Sequence, residues 1–201
     1  MPIRIQPRLS GHAYVGKTAW GPMARGGLLP GGEASGKLVT LVRALADEAA
    51  GREGAGQVLI DSSPGTGCPV NASLTGCDLA IVVTEPTQSG LHDMERILDL
   101  TAWFRIRALV VINKADLCAR VAEEIRGLCR RQDIEVIGEI PFDRGVPESL
   151  GRSVVPALGE GPGAEALREV CRAILARAEA ARAGASQTSA GRPQRLPVEE
   201  R

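Results

Sequence analysis

Four short apolar runs constrain this chain more than any other feature. They are residues 57–60 (QVLI) closing on Asp61, 79–83 (LAIVV) closing on Thr84, 108–112 (ALVVI) closing on Asn113, and 134–137 (IEVI) closing on Gly138. A strand with one wet face alternates apolar and polar residues, whereas a near-continuous run of Val, Ile and Leu belongs to a strand covered on both faces. Between the runs, Leu91, Met94, Ile97, Leu98 and Trp103 recur at helical spacing, as do Val121, Ile125, Leu128 and Cys129. Strand, helix, strand, helix predicts an α/β doubly wound parallel sheet.

The flanks read differently. Leu38, Leu41, Val42 and Leu45 predict a helix over 35–50 with Ser35 as its cap. Residues 1–34 are rich in Gly and Pro, with one short strand around 13–15 and turn signals at Gly21-Pro22 and Pro30-Gly31-Gly32, so they read as a loop and hairpin lead-in. The α/β domain is expected over 35–183, its last helix Ala-, Arg- and Glu-rich over 164–183. The polar stretch 184–201 is expected to be a disordered tail.

Charge excludes several function classes. The 24 basic and 24 acidic residues cancel, which leaves no electrostatic footprint for a nucleic-acid or anionic-membrane partner. No apolar run reaches the roughly 20 residues that span a bilayer, and the first residues hold no apolar signal core, so a cytoplasmic protein is expected. Cys68, Cys77, Cys118, Cys129 and Cys171 form no C-x-x-C pair and read as reduced thiols rather than ligands of a metal cluster.

Ligands of open parallel sheets bind at the carboxyl ends of strands, so the residues that close each run carry the chemistry. Asp61-Ser62-Ser63-Pro64-Gly65 fits the D-x-x-P-G switch element of nucleotide hydrolases, with the Asp61 carboxylate reaching magnesium through water and the Gly65 amide sensing the terminal phosphate. The alternative is an Asp capping the short helix that follows. Asn113-Lys114-Ala115-Asp116 spells N-K-x-D, a guanine-reading string, and here too a helix start capped by Asp116 is the plain alternative. Residues 31–37 spell G-x-x-x-x-G-K, but Leu38 stands where a magnesium-binding Ser or Thr belongs, and no apolar strand is expected before Gly31. Residues 11–18 satisfy G-x-x-x-x-G-K-T as a string, yet Tyr14 and Val15 fill positions where the loop must curl around phosphate. Gly65-Thr66-Gly67 with Glu85 downstream is a weak dinucleotide fingerprint, with Val70 at its third glycine position.

Four segments together carry a family resemblance: 31–43 (GGEASGKLVTLVR), 58–98 (VLIDSSPGTGCPVNASLTGCDLAIVVTEPTQSGLHDMERIL), 112–117 (INKADL) and 137–143 (IGEIPFD). In this order and spacing they resemble the MinD-superfamily P-loop ATPases that contain an inserted ferredoxin domain, the CobQ/CobB/MinD/ParA nucleotide-binding type. The resemblance runs from about Gly11 to Pro156. It implies a P-loop NTPase-like parallel sheet incomplete at its N-terminus, because the family's first strand, deviant Walker A and cysteine-rich ferredoxin insertion have no counterpart here. It implies ATP and magnesium as cofactors, with iron–sulfur clusters only in that N-terminal segment, and an ATPase inactive until a complementing N-terminal half is supplied. A homodimer is the other partner it suggests. Residue by residue, Asp61 and Gly65 match the switch element and Asn113 a strand-end residue near the base. Pro141 and Asp143 match an I-P-x-D loop beside the base. The family points to ATP and the N-K-x-D string, with Asp116, to GTP; ATP is expected. A non-catalytic binding subunit and a GTPase-like protein are the competing readings. Lys37 and His92 also sit in family-like contexts, without a derived role.

Overall fold

The computed structural model describes residues 9–32 and 35–187, with side chains through Arg182, as two compact units that divide between Cys77 and Asp78.

In the first unit, β1 (Gly11–Thr18) and β2 (Gly21–Leu28) form an antiparallel hairpin in register from Gly11 opposite Leu28 to Thr18 opposite Gly21. The Thr18 hydroxyl ties the turn. It donates to the Gly21 carbonyl at 2.8 Å and accepts from the Trp20 amide at 3.1 Å, while Gly21 takes φ +129°, a region open to glycine. The hairpin lies on α1 (Gly36–Glu53), close enough that a Cβ at Gly26 would sit 3.2 Å from Leu38 and 3.4 Å from Val42. Ser35 caps α1 as expected, its hydroxyl accepting from the Leu38 amide, and left-handed Gly54 ends it. The guanidinium of Arg43 on α1 donates to the carbonyls of Ala72 and Thr75, at 2.6 and 2.5 Å, and so satisfies the end of α2 (Cys68–Leu74).

The strand expected at 57–60 does not form. Its residues pair with no strand among those described, and Leu59 is 92% exposed. An apolar run supplies side chains to bury, but a strand also needs a neighbouring backbone to pair with. Upstream, the strand that precedes Gly31 is β2 of the hairpin, which is not an apolar run. Of the lead-in and tail, residues 1–8, 33–34 and 188–201 lie outside the described residues.

The second unit holds a parallel sheet in the order β3-β4-β5, from β3 (Leu79–Thr84), β4 (Arg107–Asn113) and β5 (Glu135–Ile140). Central β4 is buried from Leu109 through Ile112. Successive residues serve opposite faces. Val110 and Ile112 join Val82 and the apolar stripes of α3 (Gln88–Trp103) and α4 (Ala119–Arg131), namely Met94, Leu98, Val121, Ile125 and Leu128. Val111 and Ile140 meet Val170 of α6 (Pro162–Gln187) on the other side. A short α5 (Gly145–Gly151) and a 3₁₀ turn link β5 to α6.

The two sheet edges differ. On β5, a bulge interrupts the register opposite Val110 and Val111, Glu135 pairs with Arg177 and Arg107, and Glu139 pairs with Arg126. Bulges and charges are devices that stop a strand edge from pairing further. β3 reads LAIVVT, without a charge or a bulge, and its outer edge carries no strand among the described residues.

Candidate functional site

The carboxyl ends of the three parallel strands converge on four of the expected site residues. Asn113 closes β4 in register with Ile140, the last residue of β5. The chain then turns sharply: Lys114 adopts φ +53°, rare for a side chain other than glycine, and the Ala115 amide donates to the Ile140 carbonyl at 3.0 Å. The Lys114 ammonium pairs with Glu85 at 2.9 Å, joining the ends of β4 and β3. That contact occupies the acidic residue of the dinucleotide alternative.

Asp116 does not cap a helix. The cap position of α4 is Cys118, with no side-chain bond, and Asp116 Oδ1 instead accepts the Phe142 amide at 2.7 Å. Asp143 faces inward along its own loop, where Oδ1 accepts from the Gly145 amide at 2.8 Å and Oδ2 from the Gly163 amide at 2.9 Å. A Cβ on Gly163 would lie 2.6 Å from that of Asp143, so the start of α6 needs glycine there. The amides of Gly163 and Gly145 hold the Asp143 carboxyl below the usual carboxylate range. Residues 141–143 are thus held from both sides: Asp116 grips the backbone at Phe142, and Asp143 ties it to α5 and α6. Pro141 stands between these anchors, and the Phe142 ring is half exposed.

Chemically, this is a rigid rim of backbone groups, one carboxamide (Asn113) and one exposed ring, at the place where open parallel sheets bind ligands. The nearby start of α3 is equally fixed. Thr87 caps it by accepting from the Gly90 amide at 3.0 Å, Thr84 donates to the Gly90 carbonyl at 2.9 Å, and a Cβ at Gly90 would strike the Glu85 carbonyl at 2.4 Å. His92 is exposed on this helix.

Asp61 and Gly65 belong to the first unit. Asp61 is exposed in a segment without regular secondary structure, and Gly65 takes φ +91°, which a side chain would strain. The following helix is capped by Gly67 without a side-chain bond, so Asp61 is not its cap. On that helix, Asn71 Oδ1 is buried with no hydrogen-bond partner among the described residues. The string at 11–18 is strand β1, paired with β2 along its length, so its amides point alternately toward and away from β2 rather than at a common centre. Lys37 is exposed in the first turn of α1. Sequence reasoning missed the Lys114–Glu85 pair, Gly163 and Asn71. Only the Gly161-Pro162-Gly163 string hinted at one of them, and it marks a turn without saying what the turn touches.

Among the described residues no group of three His, Cys, Asp or Glu side chains could hold a metal ion, and no helix is long and apolar enough to cross a membrane. No protein-family model matches the chain. An uncharacterized protein of Methanocaldococcus jannaschii is 27% identical over 164 residues, covering 81% of this chain and 54% of the relative. A second uncharacterized protein of that organism is 34% identical over 56 residues, 28% of this chain and 21% of its own. The chain therefore spans about half the length of the first relative and a fifth of the second. Among solved structures, the MinD cell division protein of Aquifex aeolicus aligns with a TM-score of 0.57 at 19% identity, covering 83% of this chain and 64% of that one. The Pyrococcus horikoshii septum site-determining protein MinD, solved with Mg-ADP, aligns with a TM-score of 0.52 at 18% identity, covering 68% and 55%. The fold of this chain is the α/β, P-loop NTPase-like fold of the MinD proteins.

Proposed function

We propose that this chain is a nucleotide-binding protein of the MinD/ParA type. It takes ATP with magnesium, works with iron–sulfur ferredoxin modules, and hydrolyses ATP only when a complementing half supplies a phosphate loop. The observation that carries the reading is the doubly anchored loop 141–143 beside Asn113, at the strand ends of a MinD-like sheet. Asn113, Pro141 and Asp143 frame the base, with Asp116 behind the loop. Asp61 holds magnesium through water and Gly65 senses the terminal phosphate. The engagement of Asp116 with the Phe142 amide favours adenine over the guanine reading, because its Oδ1 is already in use.

Two observations support the need for a complement. The string at 11–18 is a strand and cannot cradle phosphate, and the uncharged outer edge of β3 is open to a further strand. A carboxylate near a triphosphate without an amide cradle repels it. In this reading the protein is cytoplasmic and acts as a homodimer or with its complementing half.

The test is Mg-dependent ATP binding and turnover by the chain alone and after co-expression with the portion of the longer M. jannaschii relative outside the matched region. No turnover alone, turnover on complementation, loss of binding in Asp61→Asn and weaker competition by GTP are the expected results. Turnover by the isolated chain that is lost in Lys17→Ala or Lys37→Ala would overturn the reading. So would GTP competing at least as well as ATP, with Asp116→Asn shifting preference toward xanthine nucleotides.

A further inference from the structure

Lys114 stands where a long side chain is costly. Its φ of +53° is a left-handed backbone that Gly or Asn adopts more readily. The turn around it is held by two backbone bonds, from the Ala115 amide to the Ile140 carbonyl at 3.0 Å and from the Leu117 amide to the Lys114 carbonyl at 2.9 Å. The first ties the turn to β5 and the second closes it on itself. Toward β3 it is the Lys114 side chain that reaches across, its ammonium 2.9 Å from Glu85.

Glu85 is a fixed post. The proline that follows it, Pro86, biases its backbone toward extended conformations and is itself fully buried. The Glu85 carbonyl accepts from the Thr87 amide at 2.8 Å and leaves no room for a Cβ at Gly90, while the neighbouring Thr84 hydroxyl donates to the Gly90 carbonyl. The end of β3 and the first turn of α3 therefore form one block, and the ion pair joins that block to the turn carrying Asn113 and Asp116. With side chains 39% and 40% exposed, the pair adds little to stability in water. What it fixes is direction, because Asn113 immediately precedes Lys114 and shares a peptide unit with it.

We infer that the Lys114–Glu85 pair is a latch that orients the Asn113 carboxamide, with Lys114 a positioning residue for base selection, a role that rests on the nucleotide reading above. Adenine presents an amino donor where guanine presents a carbonyl acceptor. A carboxamide held with its oxygen toward that position selects the first, whereas one free to turn over offers its amino group to the second. Releasing the latch therefore relaxes discrimination between the bases more than it weakens binding.

The experiment compares Lys114→Asn, which keeps the left-handed preference and removes the ammonium, with Glu85→Gln, which leaves Lys114 in place, and with the exchanged pair Glu85→Lys/Lys114→Glu. On the full chain alone, both single variants should speed amide exchange at Ala115 about threefold and shift the side-chain NH2 resonances of Asn113, while exchange at Gly163 stays at the wild-type rate and shows that the fold is intact. The exchanged pair should restore both signals. In the co-expressed form described above, the ratio of ATP to GTP affinity should fall about threefold in each single variant and recover in the exchanged pair. Wild-type exchange and resonances in both single variants overturn the latch, as does an exchanged pair that restores neither signal. A loosened turn with an unchanged ATP to GTP ratio overturns the positioning role. Absence of nucleotide binding by the wild-type complex overturns the nucleotide reading and the positioning role with it, while the measurements on the chain alone still decide whether the pair holds the turn.

Discussion

Gly138→Ala tests the packing that sets the candidate site. Gly138 lies in β5 under α6, and a Cβ built there would stand 2.5 Å from Cγ2 of Val170. Real carbon atoms do not approach so closely, so one element must move. Val170 is buried, and a β-branched side chain in a helix has one strongly preferred rotamer, so it cannot swing aside cheaply. Overpacking of this kind costs about 1–3 kcal/mol. Val170→Ala alone removes two methyl groups from the same contact, a loss of roughly 1.6 kcal/mol at about 0.8 kcal/mol per buried carbon. In the double variant the new methyl occupies the vacated space, so the two costs should not add. A coupling of about 1–3 kcal/mol in favour of the pair is expected. Urea unfolding followed by Trp103 fluorescence in a Trp20→Phe background reports on the second unit. Gly163, which anchors Asp143, starts the same helix two turns before Val170, so the single variant should also speed amide exchange at Gly163 and the double variant should restore it. Additive costs, or a Gly138→Ala variant within 0.5 kcal/mol of the parent by this assay, would refute the reasoning.

Two further outcomes follow from the same unit. The carboxyls of Asp143, Glu135 and Glu139 are all held below the usual range, by the Gly163 and Gly145 amides, by Arg177, and by Arg126 respectively. A depressed folded-state pKa gives stability that is present above the unfolded value of about 4 and lost as pH falls through the lower folded value. The urea midpoint should therefore hold steady down to about pH 5 and decline below about pH 4. Asp143→Asn should decline less steeply, and an unchanged acid slope in that variant counts against its anchoring role. In Asp116→Ala the Phe142 amide should exchange about tenfold faster, whereas Asp116→Asn, which keeps an acceptor oxygen, should retain the protection. Equal exchange in both variants would show that the bond does not hold the loop.

The sheet of the second unit was legible because its strands are near-continuous Leu, Ile and Val; central β4 is buried on both faces from Leu109 to Ile112, whereas β3 buries Ala80, Val82 and Thr84 and leaves Val83 exposed. Residues 57–60 carry the same signal and form no strand, since composition reports which side chains want cover and says nothing of which backbone will pair. Asn113, Asp116, Pro141 and Asp143 were found as motif members and are brought together. The work done by the two carboxylates was not legible, because it depends on amides far along the chain, at Phe142 and Gly163. The hairpin was half visible: its turn signals are local, but Tyr14 resting on Gly27 is a cross-strand contact that no run of neighbours reveals.

The unlike edges of the parallel sheet bear on how copies of this chain can accumulate. Polymerisation through strands needs two receptive sides on every molecule, one to join and one to be joined. In the parallel sheet, among the described residues, the bulge and the ion pairs of Glu135 and Glu139 close one side, and the uncharged β3 side is the receptive one. Two molecules that meet along β3 use up the receptive side of both parallel sheets, so growth through this sheet stops at a pair. A crowded preparation would then drift toward discrete doublets instead of fibres, and the sequence changes that risk converting one outcome into the other lie on β5, at Glu135, Glu139 and their arginines.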